Sequence, residues 1–116
     1  MSSSDASASY RLVVARGTHK GKVFPIELGS NLVGRWDPDT GAFPEIDLEE
    51  VDEEAKISRK HAVIENKEGA LTLEDLASLN GTFLNRETRI EPAKKYQLKA
   101  GDEIVFGKVF LVLEQG

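Results

Sequence analysis

From Tyr10 to Glu114 the chain is written in short runs of alternating apolar and polar residues, each closed by turn residues. That rhythm constrains the fold more than any other feature. A period of two places alternate side chains on opposite faces of a strand, whereas a helix needs a period near 3.6. The runs are YRLVVAR (10–16, ending at Gly17), KVFPIEL (22–28), NLVGR (31–35), HAVIEN (61–66), ALTLEDL (70–76), TFLN (82–85), YQL (96–98), EIVFG (103–107) and VFLVLE (109–114). In the second, Phe24, Ile26 and Leu28 share one face, and Pro25 suits an edge strand because it cannot donate to a ladder. Ala62 and Ile64 share a face, as do Leu71 and Leu73, with Lys67-Glu68-Gly69 as a hairpin turn between the two runs.

No segment keeps a helical period for long. The nearest is DLEEVDEEA (47–55), where Leu48, Val51 and Ala55 would share one face of a turn or two. The expectation is therefore an all-β sandwich or barrel without internal repeats. A chain of 116 residues suits one domain. Residues 1–9 (MSSSDASAS) have nothing to bury and are expected to form a disordered tail, leaving 10–116 as the domain.

Composition excludes several functions. There is no cysteine, so disulfides and thiolate metal sites are out. The sequence contains neither an apolar run of the ~18 residues a membrane span needs nor a signal-peptide block in residues 1–9, which gives the expectation of a cytoplasmic protein without membrane contact. A net charge of −5 argues against nucleic acid as a partner. The charge is unevenly placed: residues 37–54 hold nine Asp/Glu and no Lys or Arg, an acidic block in a mildly basic body.

Three clusters fall at run ends, where a sandwich gathers its loops: GR (34–35), SRKH (58–61) and SLNGTFLN (78–85). Arg35 offers a planar fork of donors, Ser58 a hydroxyl, Arg59 a second guanidinium and Asn80 an amide, which together suit a doubly charged anion. Each piece also has a plain structural reading. Gly-Arg is a turn beside a solvated charge, Asn80-Gly81 is a hairpin pair, and His61 is a structural donor at a strand start. Ser58 and His61 also invite a nucleophile–base reading with Asp75 as third member, but no G-x-S-x-G elbow accompanies them, and the expectation is a protein that is not an enzyme. Asp37-x-Asp39 followed by Gly41 hints at a calcium loop, yet the EF-hand spacing fails at the glycine and again at Leu48. The block is expected to be a solvated surface loop, with neither metal nor cofactor bound.

Taken together, GR, then S-x-x-H as SRKH, then DLASLNGTFLN and LKAGDEIVFG resemble a forkhead-associated (FHA) domain, a reader of phosphorylated motifs. The resemblance covers essentially Tyr10 to Glu114. It implies an FHA-like β-sandwich (SMAD/FHA type) of about eleven strands, whose apical loops bind phosphothreonine in an extended peptide. By the same resemblance Arg35 and Ser58 contact the phosphate and Arg59 makes a further phosphate or peptide contact. Asn80 bonds the peptide backbone, with Leu79 beside it in the binding loop. Gly34, His61 and Gly81 shape the loops. The implied partner is a phosphothreonine-containing protein in a Ser/Thr kinase pathway, met by a monomer.

The chain departs from the family pattern in three places. Leu79 stands where a Thr or another polar residue is frequent. Arg86 stands where a Gly is frequent, so the turn there is expected to find another geometry. The loop after Arg35 is long and acidic. Two alternatives remain open at this point: a phosphate-independent interaction domain on the same fold, and a calcium-binding scaffold acting through 37–54.

Overall fold

The structure, a computed structural model, describes residues 9–86 and 88–116. The expected tail at 1–9 therefore lies, apart from Ser9, outside the described residues. Ser9 itself accepts a hydrogen bond from the Gly116 amide through its carbonyl. Among the described residues there are eleven strands and no helix: β1 (Tyr10–Val14), β2 (Val23–Ile26), β3 (Gly29–Gly34), β4 (Ile46–Asp47), β5 (Lys60–Lys67), β6 (Ala70–Asp75), β7 (Thr82–Leu84), β8 (Thr88–Arg89), β9 (Lys95–Leu98), β10 (Glu103–Phe106) and β11 (Val109–Gln115).

They form two facing sheets, a five-stranded one in the order β9-β6-β5-β3-β4 and a six-stranded one in the order β2-β1-β11-β10-β7-β8. All pairings are antiparallel except β3 with β4. The core lies between the sheets and follows the alternation: Leu12, Val14, Phe24 and Ile26 from one side, Val33, Ala62, Ile64, Leu71 and Leu73 from the other, with Ile104, Phe106, Leu111 and Leu113 completing it. Each fully buried large side chain contributes about 1.5–3 kcal/mol over leaving it in water. Pro25 sits on β2, an edge strand, as expected.

Four local expectations change. Leu28 lies beyond β2 and is exposed, because buried Asn31 holds a tight turn there. Its side chain accepts from the Glu27 amide and donates to the carbonyls of Glu27, Gly29 and Ile64. The 47–55 stretch is not helical. Asp47 captures the Glu49 amide and Asp52 those of Lys56 and Ile57, so side chains take the place of a helical ladder. Leu48 and Val51 are buried there, but Ala55 is exposed at a left-handed φ of 55°.

The acidic block is likewise no simple solvated loop. Ala42, Ile46, Leu48 and Val51 anchor it in the interior, while Glu45 accepts from the Leu32 amide, Glu50 pairs with Lys22 and Asp37 with Arg59. Finally, Arg86 keeps the conformation a glycine would take. Asn85 and Arg86 stand at φ 53° and 62°, a cost of order 1–3 kcal/mol each, offset by two hydrogen bonds from Arg86 to Glu103 and by Asn85 bonds to Asp102 and Glu103.

Candidate functional site

At one end of the sandwich the connections β3–β4, β4–β5 and β6–β7 converge on a single backbone segment, Lys56–Arg59. Gly34 starts the arrangement. A β-bulge follows Val33, so that Val33 faces Ala62 while Gly34 faces Lys60, leaving His61 as the extra residue. A Cβ on Gly34 would lie 1.9 Å from the Arg59 carbonyl oxygen, so only glycine lets the two chains approach this closely.

Arg35 comes next and is bound twice to the same segment. Its amide donates to the Arg59 carbonyl at 3.1 Å, and its Nε donates to the Ile57 carbonyl at 2.7 Å. Among the described residues no acceptor meets its two terminal nitrogens. Asn80 reaches the neighbouring peptide unit from the opposite loop, its Nδ2 donating to the Lys56 carbonyl at 3.1 Å. Ser58 stands between the two loops, its Oγ accepting from the Leu79 amide at 3.2 Å. Leu79 itself is 83% exposed. Arg59, more than half exposed, turns its guanidinium to the mostly covered Asp37 carboxylate.

His61 is fully buried beneath them. Its Nδ1 accepts from the Ser58 amide at 3.0 Å, which fixes the proton on Nε2, and Nε2–H then donates to the Gly81 carbonyl at 2.9 Å. The ring meets Phe106 edge-on at 5.6 Å. Burial pushes the imidazole below its ordinary pKa, with the bond to Gly81 and the charges of Asp75 and Asp52 opposing. Gly81, at φ 87°, also accepts from the Gly107 amide at 2.9 Å. All eight residues singled out in the sequence are thus brought together.

The sequence reading missed the network that holds the 76–81 loop. Asp75 is buried and accepts from the Ser78 amide, the Ser78 hydroxyl (2.6 Å) and the Thr82 hydroxyl (2.6 Å), while Ser78 Oγ accepts from Gly81 N. Asp-x-x-Ser before Asn-Gly is a turn signal that could have shown it. Also missed were Trp36 and Phe43, which flank a small hairpin closed between Asp37 and Ala42. Both rings are exposed and meet at 6.3 Å. Of the six large hydrophobic residues exposed among the described residues, Trp36, Phe43, Leu76 and Leu79 lie on the two loops that bear Arg35 and Asn80.

Chemically, the site presents a guanidinium, a hydroxyl and an amide from a rigid frame, with no nucleophile–base pair. The family model for the FHA domain matches residues 31–107. The chain is 34% identical to the oxoglutarate dehydrogenase inhibitor of Corynebacterium diphtheriae, over 90% of this chain and 64% of that protein. It is 36% identical to the glycogen accumulation regulator GarA of Mycolicibacterium smegmatis, over 95% of this chain and 61% of that protein. The chain therefore spans a little under two thirds of these two relatives. A solved structure from a structural and functional analysis of phosphothreonine-dependent FHA domain interactions superposes with a TM-score of 0.71 at 28% identity, covering 93% of this chain and 97% of that one. The loop geometry, the sheet order and these likenesses agree: the chain belongs to the FHA domain family.

Proposed function

We propose that this chain is a phosphothreonine-peptide binding module for phosphorylation-dependent protein–protein interaction, and that it performs no chemistry of its own. The observation that carries the reading is the shared anchoring of Arg35 and Asn80 on the successive carbonyls of Ile57 and Lys56, the segment that presents Ser58. Held this way, the terminal nitrogens of Arg35 form a preset donor pair for two phosphate oxygens. Ser58 Oγ already accepts from Leu79 and has its own proton to donate to a third. Asn80 keeps its side-chain carbonyl for a peptide amide. Arg59 joins the phosphate by exchanging Asp37 for it. His61, Gly34 and Gly81 position these groups.

A non-enzymatic role is supported by His61, whose two ring nitrogens are both engaged by backbone. The phosphate-independent alternative rests on the acidic arm filling the site. Of that arm, Asp37 reaches Arg59 while Arg35 is held by a backbone carbonyl. The calcium alternative is opposed by the engagement of Asp37, Asp47 and Asp52 with backbone amides or a cation. Among the described residues no three His, Cys, Asp or Glu side chains converge.

In the cell the partner would be a threonine-phosphorylated protein in a Ser/Thr kinase pathway. Since the two relatives are named as an inhibitor and a regulator, a regulatory role suits this chain as well. Titrating one peptide in phosphothreonine and plain forms tests the proposal. Saturable binding of the phosphorylated form alone is expected, and equal binding of both would favour the phosphate-independent alternative.

A further inference from the structure

The outer faces of the two sheets differ. The five-stranded sheet shows solvent a polar surface that includes Glu65, Thr72, Glu74 and Lys95. On the six-stranded sheet the register sets Phe83, Val105 and Phe110 side by side across β7, β10 and β11. Val105 is only 5% exposed although it lies outside the core between the sheets. Cations cover this apolar row: Arg16 stands 4.2 Å and Arg86 5.9 Å from the Phe110 ring, and Arg89 6.0 Å from Phe83. The result is an open groove of about 350 Å³ lined by Arg16, Arg86 and Lys108. Arg86 is already paired with Glu103 at its edge, which leaves Arg16 and Lys108 as the cations that form no ion pair among the described residues.

We propose that this groove is a second docking surface, for a carboxylate-bearing protein segment in which an acidic residue stands beside an aromatic or branched apolar one. The cations select the charge, and the Phe–Val–Phe floor takes the apolar side chain. The edge of the groove already shows the mode, since Arg86 donates to both carboxylate oxygens of Glu103. Two unpaired cations on a chain of net charge −5 set this face apart from the acidic block beside it. Nucleic acid suits it less, because two cations and that net charge oppose a polymer carrying one charge per ~1.7 Å.

The groove starts where the loops of the first site end. Gly107 lines it, donates its amide to the Gly81 carbonyl and has room for no Cβ against the Lys56 carbonyl, 2.6 Å away. A single partner can therefore occupy both surfaces, the second raising the effective concentration of the first. The groove itself does not depend on the phosphothreonine reading.

The test is an amide chemical-shift titration of the whole chain with an unphosphorylated peptide of one Phe flanked by Glu, and with its counterpart carrying Lys for Glu. The Glu peptide should shift the amides of Phe83, Val105, Lys108 and Phe110 at about 1 mM or below, and less at high salt. Arg16→Gln with Lys108→Gln, both at exposed positions, should weaken it about fivefold or more while the amide spectrum stays that of the folded chain. Four outcomes would overturn the proposal: no shifts, shifts confined to 56–59 and 78–81, equal binding by the Lys peptide, or tighter binding of a thymidine oligonucleotide in the same groove.

Discussion

The Nδ1 of His61 takes its hydrogen bond from the amide of Ser58, not from its hydroxyl, at 3.0 Å. A catalytic pair would have the ring receive the hydroxyl proton. Here the ring joins two loops, Ser58 on one side and Gly81 on the other. His61→Ala would leave the Ser58 amide without its partner, at about 1–3 kcal/mol, and would take from the Gly81 carbonyl one of its two hydrogen bonds while opening a cavity against Phe106. The melting temperature should fall by on the order of 10 °C and phosphopeptide affinity should fall with it. Unchanged melting with lost binding, followed by calorimetry, would instead make His61 a direct ligand.

The same histidine gives stability a pH dependence. Its folded pKa lies below the ordinary 6.5 because burial disfavours the imidazolium. The unfolded chain therefore binds more protons, and stability is complete above the unfolded value and declines as pH falls from about 6.5 through the folded pKa. Glu50 and Glu103, both held below the ordinary carboxylate range by hydrogen-bonded cations, titrate in a more acidic window. Urea unfolding between pH 7.5 and 5 should show this slope in the wild type. It should be largely absent in His61→Gln, and an identical slope in both would move the effect to other groups.

Under the proposed function, Asp37 and a bound phosphate compete for Arg59. The Arg59 side chain is 57% exposed, and its pair with Asp37 contributes about 1 kcal/mol at most. Asp37→Asn should free the guanidinium and raise phosphopeptide affinity by up to about fivefold. Anisotropy titration decides it: weaker binding by the variant would show that Asp37 holds Arg59 in its working position.

Asp75 carries the opposite loop. It accepts three hydrogen bonds in a buried site, and Asp75→Asn places an amide donor where acceptors are needed. A loss of about 2–4 kcal/mol is expected, with affinity reduced because Asn80 sits on the loop it braces. Thermal melts and titration of the same preparation measure both, and stability within 0.5 kcal/mol of wild type, about the scatter of neutral substitutions, would contradict the network's role.

How far the fold could be read ahead of the structure depended on the length of each element. Runs such as HAVIEN and ALTLEDL repeat their period often enough for burial to show, and Ala62, Ile64, Leu71 and Leu73 are buried as expected. β4 and β8 have two residues each, too few to display any period. The register of Leu28 and the non-helical course of 47–55 depend on Asn31, Asp47 and Asp52, whose side chains bond backbone amides that a period cannot foresee. That the candidate site residues gather at one end was legible because they fall at strand ends. The support by Asp75 went unread: Asp-x-x-Ser marks a turn, but a buried carboxylate and a solvated one look alike in a sequence.

Trp36 is the only tryptophan, follows Arg35 directly and is 52% exposed. Its fluorescence should change in a saturable way as a phosphothreonine peptide binds and should ignore the plain peptide. A phosphopeptide that binds by calorimetry without moving this signal would place the peptide away from the β3–β4 loop.

In the proposed function Arg35 carries the phosphate, and titration of one phosphothreonine peptide against wild type, Arg35→Ala and Arg35→Lys tests that directly. Removing a desolvated charge partner costs about 2–5 kcal/mol, or roughly thirty- to several-thousand-fold in affinity. Arg35→Ala should lose at least that much while remaining folded, and Arg35→Lys should recover little, because a point charge replaces the fork. Retention of affinity within about threefold by Arg35→Ala, a change worth well under 1 kcal/mol, would contradict the assignment.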